Sequence, residues 1–214
     1  MKFPRLVKLN ERAMLYAIVL AAFTLRVYRL DAQALWWDES LSVYRATRGI
    51  GEVLANTILI QNVVTVDTLP QLYFALLNLL VRAFGISEFA LRFFSVIANV
   101  ATIPLIYALA RRWFSQSIAL VAASLATLSP FYVWYAQEAR PYALVLFWST
   151  LAVYALTRAF CVSRFTPSIS LRARFYDLRW VFVYVLASIA SLYTHYYSLF
   201  LLPFHAILIA GLIW

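Results

Sequence analysis

Four places along the chain carry side chains able to move a proton or grip a phosphate: Asp38-Glu39, Asp67, Glu138 with Arg140 and Tyr142, and His195. An ionised carboxylate can take a proton from an acceptor hydroxyl, and a neighbouring carboxylate can steady the first or bind a divalent cation. On that chemistry Asp38 and Glu39 are the candidate catalytic pair. Asp38, Glu39 and Glu138 are the ligands a divalent metal would use, if one takes part. Arg140 offers a planar fork suited to a phosphate and can stabilise charge on a departing phosphate group. Asp67, Glu138, Arg140, Tyr142 and His195 form the candidate donor- and acceptor-binding set. The same residues admit blander roles. Carboxylates flank many spans as solvated caps, Arg140 could equally pair with Glu138, and His195 could be an interfacial histidine with its hydrogen bonds met.

What must position these groups is a membrane framework. With 64% hydrophobic residues, 13% charged, 4 glycines and a mean hydropathy of +0.80, the chain has the composition of a polytopic α-helical membrane protein, not of a water-soluble domain. The net charge of +9 does not point to nucleic acid, because the basic residues sit at the ends of apolar runs, where they act as topology signals. The lone Cys161 cannot form an internal disulfide. The sequence has no glycine-rich phosphate loop and no Cys/His spacing suited to zinc.

Taken in order, the apolar runs predict about six spans: Met14–Leu30, Phe89–Leu109, Ser117–Tyr135, Ala143–Phe160, Trp180–Tyr193 and Leu199–Trp214. Lys2, Arg5, Lys8 and Arg12 precede the first span without a cleavage site, which makes it a retained span with a cytoplasmic N-terminus. Between the first two predicted spans, Glu39–Arg48 reads as an amphipathic surface helix ending at Gly49-Ile50-Gly51. Pro70–Phe84 is short for a span, with Gln71, Asn78 and Arg82 along one face, and reads as an interfacial helix; a short tilted span is the alternative. The interfacial reading keeps Arg111-Arg112 and the Arg164–Arg179 cluster on the basic inner side. It also brings all four chemical clusters to the outer side, where a pocket would meet both water and lipid. That suits glycosyl transfer from a lipid-phosphate sugar.

Ordered strings carry a resemblance. Leu35-Trp36-Trp37-Asp38-Glu39-Ser40 is followed by Asp67-Thr68-Leu69-Pro70-Gln71, by Ser87-Glu88-Phe89-Ala90-Leu91-Arg92, and by Ser129-Pro130-Phe131 with Gln137-Glu138-Ala139-Arg140-Pro141-Tyr142. The chain resembles, from about Met14 to Tyr197, the N-terminal half of family 39-like membrane glycosyltransferases. These belong to the C-type superfamily that includes protein O-mannosyltransferases and the aminoarabinose transferase. The resemblance implies a polyprenyl-phosphate sugar donor and inversion at the anomeric carbon. It further implies Asp38 as catalytic base with Glu39 in support, and Glu138 and Arg140 at the same cavity. Leu69 departs from the histidine such relatives commonly carry there.

The expectation is therefore an all-α polytopic transmembrane bundle with interfacial juxtamembrane helices in the first external loop. It forms one module over 1–214, whose apolar end at Trp214 reads as a truncation. The expected activity is hexosyl or mannosyl transfer to a lipid, glycan or protein acceptor, with membrane lipids as surroundings and the bacterial inner membrane as location. A lipid transporter or flippase would place ionisable residues near the bilayer midplane, whereas the acids here lie at or beyond span ends. An inactive fragment of a transferase is the third reading.

Overall fold

The computed structural model describes residues 10–60, 63–67, 69–160 and 177–213. Lys2, Arg5, Lys8, Cys161, Arg164, Arg172, Arg174 and Trp214 lie outside them, as do Thr68 and the inner-side charge tally that rests on these basic residues.

The described chain is mostly helical. Helix α1 (Glu11–Val27) is followed by short α2 (Trp37–Ala46) and α3 (Ile50–Leu54), then by strands β1 (Thr57–Ile60) and β2 (Val63–Val66). Helices α4 (Leu72–Phe84), α5 (Glu88–Ala110), α6 (Gln116–Leu128), α7 (Pro130–Ala136) and α8 (Tyr142–Phe160) follow. After them come α9 (Leu178–Thr194), a 3-10 turn (Tyr196–Phe200) and α10 (Leu201–Ile213).

Two helices, α5 and α8, are long and apolar enough to cross a bilayer, and α6 with α7 makes a third if the bent pair counts as one span. Helix α4, α9 and the segment Tyr196–Gly211 are apolar but shorter, and α1 has 17 residues. The lengths thus give two or three spans where the apolar runs predict six.

The predicted Ser117–Tyr135 span is bent by 55°, and the cause is local. Pro130 has no N–H, so the carbonyl of Ala126 loses its helical donor, and Ser129 adopts an extended conformation (φ −60°, ψ 119°). The orphaned carbonyls find Arg26, which is fully buried on α1: its Nη2 donates to Ala126 O and its Nη1 to Thr127 O, both at 3.2 Å. Arg26 Nε donates to Asn99 Oδ1 on α5 at 2.7 Å. One guanidinium therefore ties α1 and α5 to the bend.

The segment joining α1 to α5 differs from expectation in three ways. It contains an antiparallel hairpin, Thr57↔Val66 through Ile60↔Val63, where only helices were expected; seven of the eight strand residues are Ile, Val or Thr, which favour the extended backbone. The break after α2 falls at Thr47–Gly49, and Gly51 lies inside α3. Asn78 does not join an outward polar stripe with Gln71 and Arg82. It turns inward and donates to Ala46 O at 2.6 Å and Arg48 O at 2.9 Å, capping the end of α2.

Two apolar clusters hold these elements. One packs α4 against α2, α5 and α8 through Tyr73, Phe74, Leu77, Leu91 and Leu144; the other packs α1 against α5 and α6 through Ala22, Ile103 and Ala123. Helices α8 and α9 are joined by a serine relay, with Ser149 Oγ and Ser191 Oγ 3.0 Å apart and Ser191 Oγ donating to Ser198 Oγ at 2.8 Å.

Candidate active site

Consecutive residues on an α-helix point about 100° apart, so two adjacent carboxylates in its first turn cannot share an environment. In α2, Glu39 faces the core and Asp38 the surface. Glu39 is fully buried and every strong acceptor direction is filled. Arg92 Nε donates to Oε1 at 2.9 Å and Arg92 Nη2 to Oε2 at 2.7 Å; Ala139 N–H reaches Oε1 at 2.8 Å and Trp36 N–H reaches Oε2 at 3.3 Å. Burial pushes its pKa upward, but the bonds from Arg92, Ala139 and Trp36 together with the charge of Arg92 outweigh it and leave the carboxyl below its ordinary value. Arg92 also donates to the carbonyls of Leu30, Gln33 and Ala34, which fixes the turn leading into α2.

Asp38 keeps 36% of its side chain exposed. Its carboxylate lies 3.7 Å from Arg140 Nη2, and its backbone carbonyl accepts from Arg140 Nη1 at 3.1 Å. The sequence suggests Glu138 as a partner for Arg140; among the described residues the ion pair of Arg140 is with Asp38 instead. Arg140 is buried, with its Nε lacking a hydrogen-bond partner among the described residues and its guanidinium 5.9 Å from the Tyr142 ring centre.

Glu138 sits one residue from Ala139, the residue that donates to Glu39. Its Oε1 accepts from Trp134 Nε1 at 2.6 Å across one turn of α7. Burial raises its pKa; the Trp134 bond and the charge of Arg140 oppose this, while the charges of Glu39 and Asp38 add to it. The loop between α7 and α8 is held from three directions. Gln137 Nε2 donates to Arg26 O and Tyr28 O, Ser95 Oγ donates to Arg140 O at 3.5 Å, and Glu39 takes the Ala139 amide.

His195 caps the C-terminus of α9, with its ring centre 6.0 Å from that of Tyr142, and its Nδ1 accepts from Tyr197 N–H at 3.2 Å. Burial, with the charge of Arg140, lowers its pKa, which favours the neutral imidazole. Asp67 stands apart in role. Its Oδ2 pairs with buried Arg45 at 2.8 Å and its Oδ1 accepts from Leu69 N–H, so it anchors the hairpin to α2. Arg45 in turn stacks 3.6 Å from the Phe74 ring centre.

The structure thus brings Asp38, Glu138, Arg140, Tyr142 and His195 into one neighbourhood at the ends of α2, α7, α8 and α9. Glu39 and Asp67 lie behind it in ion pairs. Sequence reasoning left Arg92, Arg45, Arg26 and Ser95 without roles. A cation inside or beside an apolar run needs a partner, and that rule marks Arg26 and Arg92 without saying which partner each finds. Among the described residues no group of three or more His, Cys, Asp or Glu side chains could hold a metal ion, and both oxygens of Glu39 are engaged by donors. The residues present do not fit a metal, and no step is derived through one.

Residues 69–214 match the family model described as dolichyl-phosphate-mannose-protein mannosyltransferase. The chain belongs to that family. Asp38 and Glu39 lie ahead of the matched span, while Glu138, Arg140, Tyr142 and His195 lie within it. The family and the apolar helices make this an integral membrane protein. No curated protein matches the chain. Among solved structures, a chain of the S. cerevisiae protein O-mannosyltransferase Pmt1-Pmt2 complex bound to the sugar donor superimposes with a TM-score of 0.71 at 18% identity. The match covers 98% of this chain and 29% of that one. At that identity the likeness establishes the fold. The chain spans under a third of the length of that relative.

Proposed function

We propose that this chain carries the outward-facing site of a membrane glycosyltransferase that moves a sugar from a polyprenyl-phosphate donor to an acceptor hydroxyl with inversion. The observation that carries the reading is the contrast between the two neighbouring carboxylates. Glu39 is locked by four donors, whereas Asp38 keeps a half-open carboxylate 3.7 Å from the guanidinium of buried Arg140.

In this reading Asp38 accepts the proton of the acceptor hydroxyl. The oxygen attacks the anomeric carbon of the donor sugar, the bond from that carbon to the phosphate oxygen breaks, and the lipid phosphate leaves with the electron pair. Attack opposite the leaving group inverts the centre. Arg140, whose guanidinium stands beside the Asp38 carboxylate, offers a charge-assisted grip to the phosphate. Glu39 acts as a positioning residue through Arg92 and Ala139. Glu138, Tyr142 and His195 border the reacting groups, and Asp67 shapes the wall through Arg45.

The family's description names dolichyl-phosphate mannose and protein, and the yeast relative is described with a bound sugar donor. Lipid-phosphate mannose and a protein hydroxyl are therefore the first pair to assay, ahead of lipid or glycan acceptors. The six-span arrangement over a single 1–214 module, with a cytoplasmic N-terminus and the bacterial inner membrane as location, belongs to the same proposal. Helix α9, at 17 residues and about 1.5 Å per residue, is roughly 26 Å long, close to a thin bilayer's hydrocarbon. Transfer from radiolabelled polyprenyl-phosphate mannose, measured in membranes carrying the chain with and without Asp38→Asn, tests the reading. Loss of transfer with normal protein levels supports it; unchanged transfer overturns it.

A further inference from the structure

Helix α5 begins beside Glu39 and is 23 residues long, so its last turn lies roughly 34 Å from the carboxylate site at about 1.5 Å per residue. At that far end the helices part. Ile106 and Leu109 of α5, Val153 of α8, and Phe204 and Leu208 of α10 line an open groove of about 350 Å³ with an apolar wall. That volume is within the range of small-ligand sites.

Two further features separate this groove from an ordinary lipid-facing surface. Trp113 and Thr157 also line it, and the guanidinium of Arg112 is fixed there, donating from Nη2 to Thr157 O at 3.0 Å. Among the described residues Arg112 has no carboxylate partner, and its buried Nε has no hydrogen-bond partner of any kind. Arg158, one residue beyond Thr157, is likewise without a carboxylate and lies 4.8 Å over the Trp180 ring. Arg111, next to Arg112 in the chain, is paired to Glu11 at 3.3 Å. A buried guanidinium edge with no anion leaves a charge-assisted bond unmade.

We propose that this groove is a binding site for an anionic phospholipid of the leaflet opposite the carboxylate site, with an acyl chain along the groove and the phosphate on Arg112. The apolar wall accounts for the chain, and Arg112, held against the lining residue Thr157 with no carboxylate partner among the described residues, selects a negatively charged headgroup. The occupant is a membrane phospholipid and not the sugar donor, whose phosphate belongs to Arg140 at the other end.

Trp113 provides the test, because it lines the groove and its fluorescence is quenched by bromine on a bound acyl chain. The full chain is placed in nanodiscs of phosphatidylcholine doped with mid-chain-brominated phosphatidylglycerol or, separately, brominated phosphatidylcholine. The Trp113 signal is taken as the difference from Trp113→Phe. The expected result is a saturable quench with roughly fivefold preference for phosphatidylglycerol, the size one arginine gives against an anionic lipid, and loss of that preference in Arg112→Gln. Equal quenching by both lipids in the unsubstituted protein overturns the proposal. So does an unaltered preference in Arg112→Gln. Absence of quenching by either lipid also overturns it and identifies the groove as covered by protein.

Discussion

Arg92 grips both oxygens of Glu39, at 2.9 and 2.7 Å, from a helix 53 residues further along the chain. This clamp turns Glu39 inward and, by the helical offset between neighbours, leaves Asp38 facing out.

The two carboxylates should therefore fail differently. Asp38→Asn is expected to lower transfer by about 10²-fold or more, the range of a general base, while the thermal midpoint stays near that of the unsubstituted protein. Glu39→Ala strands Arg92 and is expected to cost roughly 3–5 kcal/mol of stability. Thermal unfolding in detergent beside a transfer assay separates them. Equal destabilisation by both substitutions would contradict the division of roles.

Stability should vary with pH through Glu138. Its folded-state pKa is raised, so the folded protein holds the proton more tightly than the unfolded chain. The contribution is present in full below the ordinary carboxylate pKa and is lost as pH rises through the raised folded value. Glu138→Gln removes the titration. Compared with this variant, the unsubstituted protein should lose thermal stability on going from acid to neutral pH, and parallel curves would contradict it. Glu39 has the opposite sign: its lowered pKa gives stability above the ordinary value that fades as pH falls through the folded value.

Arg26 should control the site from a distance. Arg26→Leu leaves the carbonyls of Ala126 and Thr127 without donors and is expected to cost about 2 kcal/mol or more. Because the bend sets the path of α7, amide exchange in residues 130–138 should quicken more than in α8. Uniform exchange across both helices would argue against a local role.

Asp67→Asn should loosen the hairpin. It removes the charge that compensates buried Arg45, at an expected cost of about 3 kcal/mol, with the early proteolytic cut falling between residues 55 and 70. A first cut elsewhere would sink this assignment.

By itself the sequence determined the membrane class and the positions of most helices. An apolar run 15 to 23 residues long can satisfy its backbone only as a helix when water is excluded, so Phe89–Leu109 and Ala143–Phe160 agree with α5 and α8 within a residue at either end. The strings around Asp38 and Glu138 likewise marked where chemistry could sit. The hairpin was less legible, since Thr57–Ile60 and Val63–Val66 are short β-branched runs whose pairing depends on their coming together. What only the tertiary structure decided is which charge meets which. That Arg92 takes Glu39, Arg45 takes Asp67 and Arg140 leans on Asp38 depends on how helices rotate and pack around Tyr73, Phe74 and Leu91. Ion pairs form between side chains far apart in sequence, and nothing in the local pattern encodes the rotation that brings them within 4 Å.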